Sequence, residues 1–335
     1  MKPTHIGLVA DPAAPAEIAA RMTDLGPPSD ENQDAWDIEV VSEPFTLGSE
    51  DVDTALARLR DQAGQHGWHL VVGLTELPLR DDDGRYLLAV TDPQRRTAML
   101  SLPALGGFRL HARARPAVRD LVSAMGGPTV PTSQDKHRVP LPRLGGRWRL
   151  LLGMVLANRP WLLVPGLKSA LVAALATGAV ATINSTVWQL AASLSWWRLV
   201  VATVLSIALV VGWLVIDGQL WDRPDNDSAE ARERSRLYNT STLVTLTIGV
   251  LICYLALYVV NLAWALFVLD PAVMGGSLQA SVGYGDLFVL AWFVASAATV
   301  GGALGSGLES DEAIRAAAYS KREEERRNRL TRERT

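Results

Sequence analysis

Two kinds of hydrophobic pattern share this chain. Through residue 126, apolar positions come in short runs separated by polar stretches. His5–Ala10 (HIGLVA), Ile38–Ser42 (IEVVS), His69–Thr75 (HLVVGLT), Arg85–Thr91 (RYLLAVT) and Thr97–Leu102 (TAMLSL) have strand length and composition. Ala14–Leu25, Glu50–Gly64 and Pro116–Met125 have helical patterns; Val52, Ala55, Leu56 and Leu59 fall on one face. Strand–helix–strand order predicts a small α/β domain over 1–126 with a mostly parallel sheet. The run HLVVGLT is apolar almost throughout, which places it centrally. Residues 127–146 are rich in Gly, Pro and basic side chains and predict a linker.

Beyond the linker the runs lengthen. Arg147–Asn158 (RWRLLLGMVLAN) is too short to cross a bilayer and is stopped by Pro160, so 147–160 reads as an amphipathic helix at the membrane interface. The stretches 161–183, 199–216, 243–269 and 287–308 reach the roughly 20 apolar residues a crossing needs. None holds an interior Asp or Glu. The expected fold is therefore an α/β N-terminal domain followed by an all-α bundle of four transmembrane helices over 161–308. Residues 309–335 form a charged tail. There Asp311–Arg315, Glu323–Arg327 and Glu325–Arg329 are spaced to support an exposed helix that Ser310 could cap.

Composition sharpens this division. The averages, 49% hydrophobic and 20% charged, resemble those of a soluble protein. Residues 1–142, however, hold 14 Lys+Arg against 20 Asp+Glu, and the remainder holds 18 against 15. The basic residues gather before the first span (Arg143, Arg147, Arg149, Arg159), between the second and third (Arg223, Arg232, Arg234, Arg236) and after the fourth. The other two loops hold Arg198 alone. The positive-inside rule then places both termini and the α/β domain in the cytoplasm, as a multi-pass protein of a bacterial inner (plasma) membrane. Met1–Ala20 lacks the apolar core of a signal peptide. Trp188, Trp196 and Trp197 are placed at the outer interface, Trp161 and Trp221 at the inner one. A single Cys253 excludes a disulfide framework and Cys-based zinc clusters. The absence of an overall basic excess argues against a nucleic-acid partner.

Candidate chemistry is sparse. The turn Asp11-Pro12-Ala13-Ala14-Pro15 lacks the glycines of a dinucleotide site, and there is no Walker lysine or HExxH. No catalytic residue, cofactor or metal is assigned. The Asp-rich run Arg80-Asp81-Asp82-Asp83-Gly84 reads as a turn between strands. Glu76, Arg80, Asp81 and His111 are candidate members of one cytoplasmic pocket. Ser281-Val282-Gly283-Tyr284-Gly285-Asp286 differs from the potassium-filter sequence TVGYGD only at its first residue. A filter lines a pore with stacked carbonyls and follows a pore helix. Residues 270–280 contain Pro271, Gly275 and Gly276, poor helix material. Ala297, Gly301 and Gly305 form a small-residue stripe suited to helix packing, within the bundle or in a homo-oligomer through the fourth span.

Two resemblances add context. The order strand, LTELPL (Leu74–Leu79), strand, SLPALGG (Ser101–Gly107), helix resembles archaemetzincin-type metalloproteases. Their zinc-binding HExxH is replaced here by Val118-Arg119-Asp120-Leu121-Val122. That likeness implies a domain without the zinc chemistry. More broadly, GLVADP, VVGLTELPLR, SLPALGG, ATVGGALGSGLESD and RAAAY are similar to an uncharacterised actinobacterial family of four-span integral membrane proteins. This resemblance implies architecture and no activity. The expected function is a non-enzymatic scaffold or sensor whose cytoplasmic domain binds a small ligand or protein partner, with the lipid bilayer as second partner. The alternatives are a potassium-type channel built on 281–286 and a membrane-tethered hydrolase-like enzyme.

Overall fold

Short apolar runs at the start of the chain assemble into one seven-stranded sheet. The computed structural model describes residues 3–27, 35–46, 52–81, 84–107, 109–126, 137–142, 145–224 and 229–305. These divide into one unit ending at Ala157 and a second beginning at Asn158. The strands are β1 (Thr4–Ala10), β2 (Trp36–Ser42), β3 (Leu70–Thr75), β4 (Leu79–Arg80), β5 (Tyr86–Asp92), β6 (Thr97–Ser101) and β7 (His137–Pro140). Their order is β2-β1-β3-β6-β5-β4, with β7 also paired to β5. The first four in that order run parallel; β4, β5 and β7 join antiparallel. As its composition predicts, β3 is central and every residue in it is buried.

Alternation along the strands feeds two cores. On one face Leu8, Val72, Leu74 and Leu100 pack with helices α1 (Ala14–Ala19) and α3 (Leu110–Gly126) through Ala19, Val118 and Val122. On the other, Val9, Val71 and Met99 pack with helix α2 (Val52–His66) through Leu56 and Leu59. Gly7 faces this second core because the Trp68 ring lies against it: a Cβ there would stand 2.0 Å from the indole. Trp68 Nε1 donates to Glu39 at 2.7 Å, which satisfies the one polar atom of that ring.

Several boundaries differ from the sequence expectation. The segment expected as linker contributes β7, because the open edge of β5 supplies backbone partners from Leu87 to Thr91. Helix α3 begins at Leu110, with Pro116 exposed inside it. Helix α1 ends at Ala19; Met22 and Leu25 are nevertheless buried from the turns that follow. The helix expected over 147–160 forms as α4 (Gly145–Ala157). One of its faces is committed to the α/β unit. Leu150, Met154 and Val155 are buried, and Gly153 lets the helix approach the 3-10 turn Pro103–Leu105 so closely that a Cβ would lie 2.2 Å from the Pro103 carbonyl. Trp148 remains 74% exposed.

The second unit is helical: α5 (Leu163–Gly166), α6 (Lys168–Thr182), α7 (Ser185–Ser193), α8 (Trp196–Asp217), α9 (Ala229–Val268), α10 (Pro271–Leu278) and α11 (Tyr284–Gly305). Among the described residues, α8, α9 and α11 are long and apolar enough to cross a membrane; a fourth crossing is reached only if the helices broken at Leu167 count as one. The break falls at Leu167, whose φ of −105 and ψ of 29 lie outside the helical region, two residues after Pro165. The longest uninterrupted piece of the broken helices, α6, has 15 residues, or about 22 Å. Helix α9 has 40 residues and begins well before the apolar stretch that predicts it. Asn239 on its polar part brackets the Asp222 backbone, donating to its carbonyl at 2.9 Å and accepting from its N–H at 2.8 Å. Trp188, expected at an interface, is instead buried in the bundle and donates to the Thr182 carbonyl at 2.7 Å. The tail 309–335 lies outside the described residues.

Candidate functional site

The order β2-β1-β3 makes the chain leave β1 to one side and return to the other, a topological switch point between β1 and β3. In doubly wound sheets ligands bind in the crevice at the carboxyl ends of the strands at this point. Asp11 follows β1 there and is fully buried. Its N–H donates to the Leu74 carbonyl at 3.0 Å. Its carboxylate accepts from the Phe45 N–H at 3.2 Å and from the Thr46 hydroxyl at 2.9 Å. It therefore ties the segment after β2 to the end of β1. The adjacent turn places Ala13 at φ 75, a region that favours glycine. Beside it, Thr75 Oγ1 accepts from the Leu77 N–H, and Ser101 Oγ donates to the Leu77 carbonyl at 2.8 Å. These bonds hold the β3–β4 connection, and with it half-buried Glu76, across the strand ends. Pro12 and Pro15 withdraw two amide donors from the turn, so it is a rigid wall rather than a phosphate cradle.

Two of the pocket residues proposed from sequence have partners in the turn that follows β4. Arg80 folds over the following turn: its Nε and Nη2 donate to the Gly84 carbonyl at 3.3 and 3.1 Å, and its guanidinium stands 5.0 Å from the Tyr86 ring centre. Asp81 accepts from the Arg85 N–H at 2.6 Å. Both thus serve the hairpin turn; Asp82 and Asp83 lie outside the described residues. His111 sits in the first turns of α3; among the described residues it shares no hydrogen bond with Glu76, Arg80 or Asp81, and its buried Nδ1 has no partner. Asp24 is held below the usual carboxylate range, chiefly by the Arg115 hydrogen bonds at 2.8 and 2.9 Å.

The filter-like segment also has a different geometry from a filter. Tyr284, Gly285 and Asp286 form the first turn of α11. The Gly283 N–H donates to Asp286 Oδ2 at 2.8 Å, the side-chain half of a capping box, and the Gly283 carbonyl accepts from the Asp286 N–H at 3.1 Å as a backbone turn bond. Helical carbonyls point along the axis, so these residues do not stack carbonyls as a filter must. Ser281 and Val282 precede the cap as irregular chain. Conversely, the helix judged unfavourable in 270–280 does form. Asp270 Oδ1 accepts from the Ala272 N–H at 2.9 Å, Pro271 occupies the first turn, and Gln279 closes the helix at φ 51. A strong cap and an N-terminal proline outweigh two glycines.

On α11 the small residue packed against backbone is Gly302, which with Ser306 makes the stripe next to Ala297, Gly301 and Gly305. A Cβ on Gly302 would lie 2.8 Å from the Ala170 carbonyl. Ala297 is exposed and Gly301 half-buried, while Ala298 is buried; Gly305 ends the described helix. Sequence reasoning missed the polar node joining α8, α9 and α11. Thr203 Oγ1 receives the Trp292 indole N–H at 2.7 Å and lies 3.1 Å from Tyr254 OH and 3.2 Å from Ser296 Oγ. Tyr254 and Ser296 are 3.0 Å apart. Spacing alone cannot find a contact among three helices. Asp11, by contrast, carried a readable signal: a carboxylate directly after an apolar strand and before Pro.

No protein-family model, characterised protein or solved structure matches the chain. The two resemblances rest on the quoted segments alone.

Proposed function

We propose that the chain is an integral membrane protein whose N-terminal α/β unit is a non-enzymatic binding module, receiving a small ligand or protein partner on the cytoplasmic side. The reading is carried by one combination. A doubly wound sheet, an architecture that presents ligands at its strand ends, shares a chain with helices that expose Val204, Leu209, Ile216, Val259 and Phe267. An apolar exterior of that extent suits lipid. The basic loops argue for four crossings with both termini inside. The test uses single cysteines in a Cys253→Ala background. Ser193→Cys is expected to react with an impermeant maleimide on intact cells, and Arg223→Cys only after permeabilisation. Reversed labelling would overturn the orientation, and extraction by alkaline carbonate would overturn membrane integration.

The channel alternative has α10 in its favour and the helical start of α11 against it. Liposomes holding the full chain are expected to show no potassium flux beyond that of the Gly283→Asp variant. A flux abolished by that substitution would reinstate the channel.

A further inference from the structure

We infer that the α/β unit carries a phosphodiester site in the groove between α3 and α4. This deepens the proposed binding function and is independent of the membrane reading. The groove, of about 580 Å³, is lined by Leu105, Arg113, Pro116, Ala117, Asp120 and Arg149, along with Ala112. Two guanidinium side chains meet over Gly106: a Cβ on that residue would lie 3.1 Å from Arg113 Nη1 and 3.1 Å from Arg149 Cγ. Gly106 has φ +85, so the place is kept open both by the missing side chain and by the backbone.

The two arginines are unequally satisfied. Arg113 Nη1 donates to the Leu105 carbonyl at 2.9 Å, which fixes its fork at the groove edge. Arg149 Nε is buried and has no hydrogen-bond partner among the described residues. A buried donor on a cation without an acceptor is rare because it forfeits hydration for nothing. An anion in the groove meets the two side chains through the guanidinium atoms that face it, and planar guanidinium groups match phosphate oxygens. The third charged group selects among anions. Two arginines and Asp120 sum to one positive charge, which suits the monoanion of a phosphodiester better than a dianionic phosphate. Leu105, Pro116 and Ala117 offer apolar wall to the ester carbons. The diester could be a phospholipid headgroup or a soluble glycerophosphodiester. Trp148, exposed one position before Arg149, is a residue type enriched at lipid headgroups.

The test uses the full-length protein in a phosphate-free maltoside detergent. One arm adds a soluble glycerophosphodiester and follows ³¹P line broadening. The other adds phosphatidylglycerol, with a phosphate-free glycolipid as control, and counts bound lipid by native mass spectrometry. Binding is expected in at least one arm. Arg149→Gln should weaken it at least about tenfold, the effect of losing a charge-assisted hydrogen bond. Binding in the first arm identifies a soluble ligand, and binding in the second alone identifies a headgroup. Asp120→Asn should shift preference toward inorganic phosphate. If Arg149→Gln does not fold, Arg149→Lys serves instead: it keeps the charge, loses Nε and is expected to weaken binding. Absence of binding in both arms, or equal binding by a folded Arg149 variant, overturns the site. Neither result depends on the cysteine-labelling pattern, so the two proposals fail separately.

Discussion

At the residue scale, the α/β unit is organised by a few side chains whose partners are far away in sequence. Asp11 bonds to Phe45 and Thr46, more than thirty positions on. Asp11→Ala strands a buried N–H and a hydroxyl, and is expected to destabilise the unit by about 1–3 kcal/mol. Hydrogen exchange should show the loss as faster exchange at Phe45, with little change in the helical unit. The Asp24–Arg115 pair gives a pH signature. The folded carboxyl titrates below its unfolded value, so the stabilisation is present above the unfolded value and disappears as pH falls through the folded one. Both groups face solvent, so the effect is small and salt-sensitive. The difference in stability between wild type and Arg115→Ala should be largest at neutral pH and shrink in acid to the part carried by the Arg115 bond to the Arg21 carbonyl. Arg80 and Asp81 show how residue type alone conceals a local role: both bond within the turn that follows β4.

At the element scale, helix ends and helix contacts decide what the sequence motifs mean. The Asp286 carboxylate caps α11, so Asp286→Ala should cost about 0.5–2 kcal/mol. Thermal unfolding in detergent would register it; unchanged stability would contradict the capping assignment. The small-residue stripe offers a sharper comparison. Gly302→Val forces a side chain into the Ala170 backbone of α6, whereas Ala297→Val points to open surroundings. The first is expected to lower the midpoint of unfolding clearly, by the order of 1–3 kcal/mol of overpacking, and the second to leave it nearly unchanged. Equal effects would return the packing face to the expected register. Helix α4 shows the same logic: a helix forms where the pattern predicts one, but Gly153 turns part of its apolar surface to Pro103.

At the scale of the whole molecule, two units with different solvent demands are joined in one chain. The first buries its apolar residues against both faces of a sheet. The second keeps many of its apolar residues outward and gathers polar ones inward, as at Thr203, Tyr254, Ser296 and Trp292. Such inversion fits a bundle solvated by lipid, where interior hydrogen bonds hold helices together. Thr203→Val would leave the Trp292 indole N–H without its acceptor, and a loss of about 0.5–2 kcal/mol is expected in detergent unfolding. No loss would mean that water or lipid supplies the partner.

Periodicity made the strands, their parallel core and the long apolar helices legible, because these follow from local spacing of side chains along an extended or helical backbone. The break of the first apolar stretch at Leu167 was not legible, because the stretch is apolar on both sides of it. What the tertiary structure alone decided were contacts between distant segments: β7 closing on β5, α4 turning Gly153 to Pro103, Asp11 reaching the loop after β2, and Arg113 and Arg149 meeting over Gly106. One-dimensional patterns report which face of an element is apolar. They do not report which other element covers it, because that depends on the packing of surfaces brought together from anywhere in the chain.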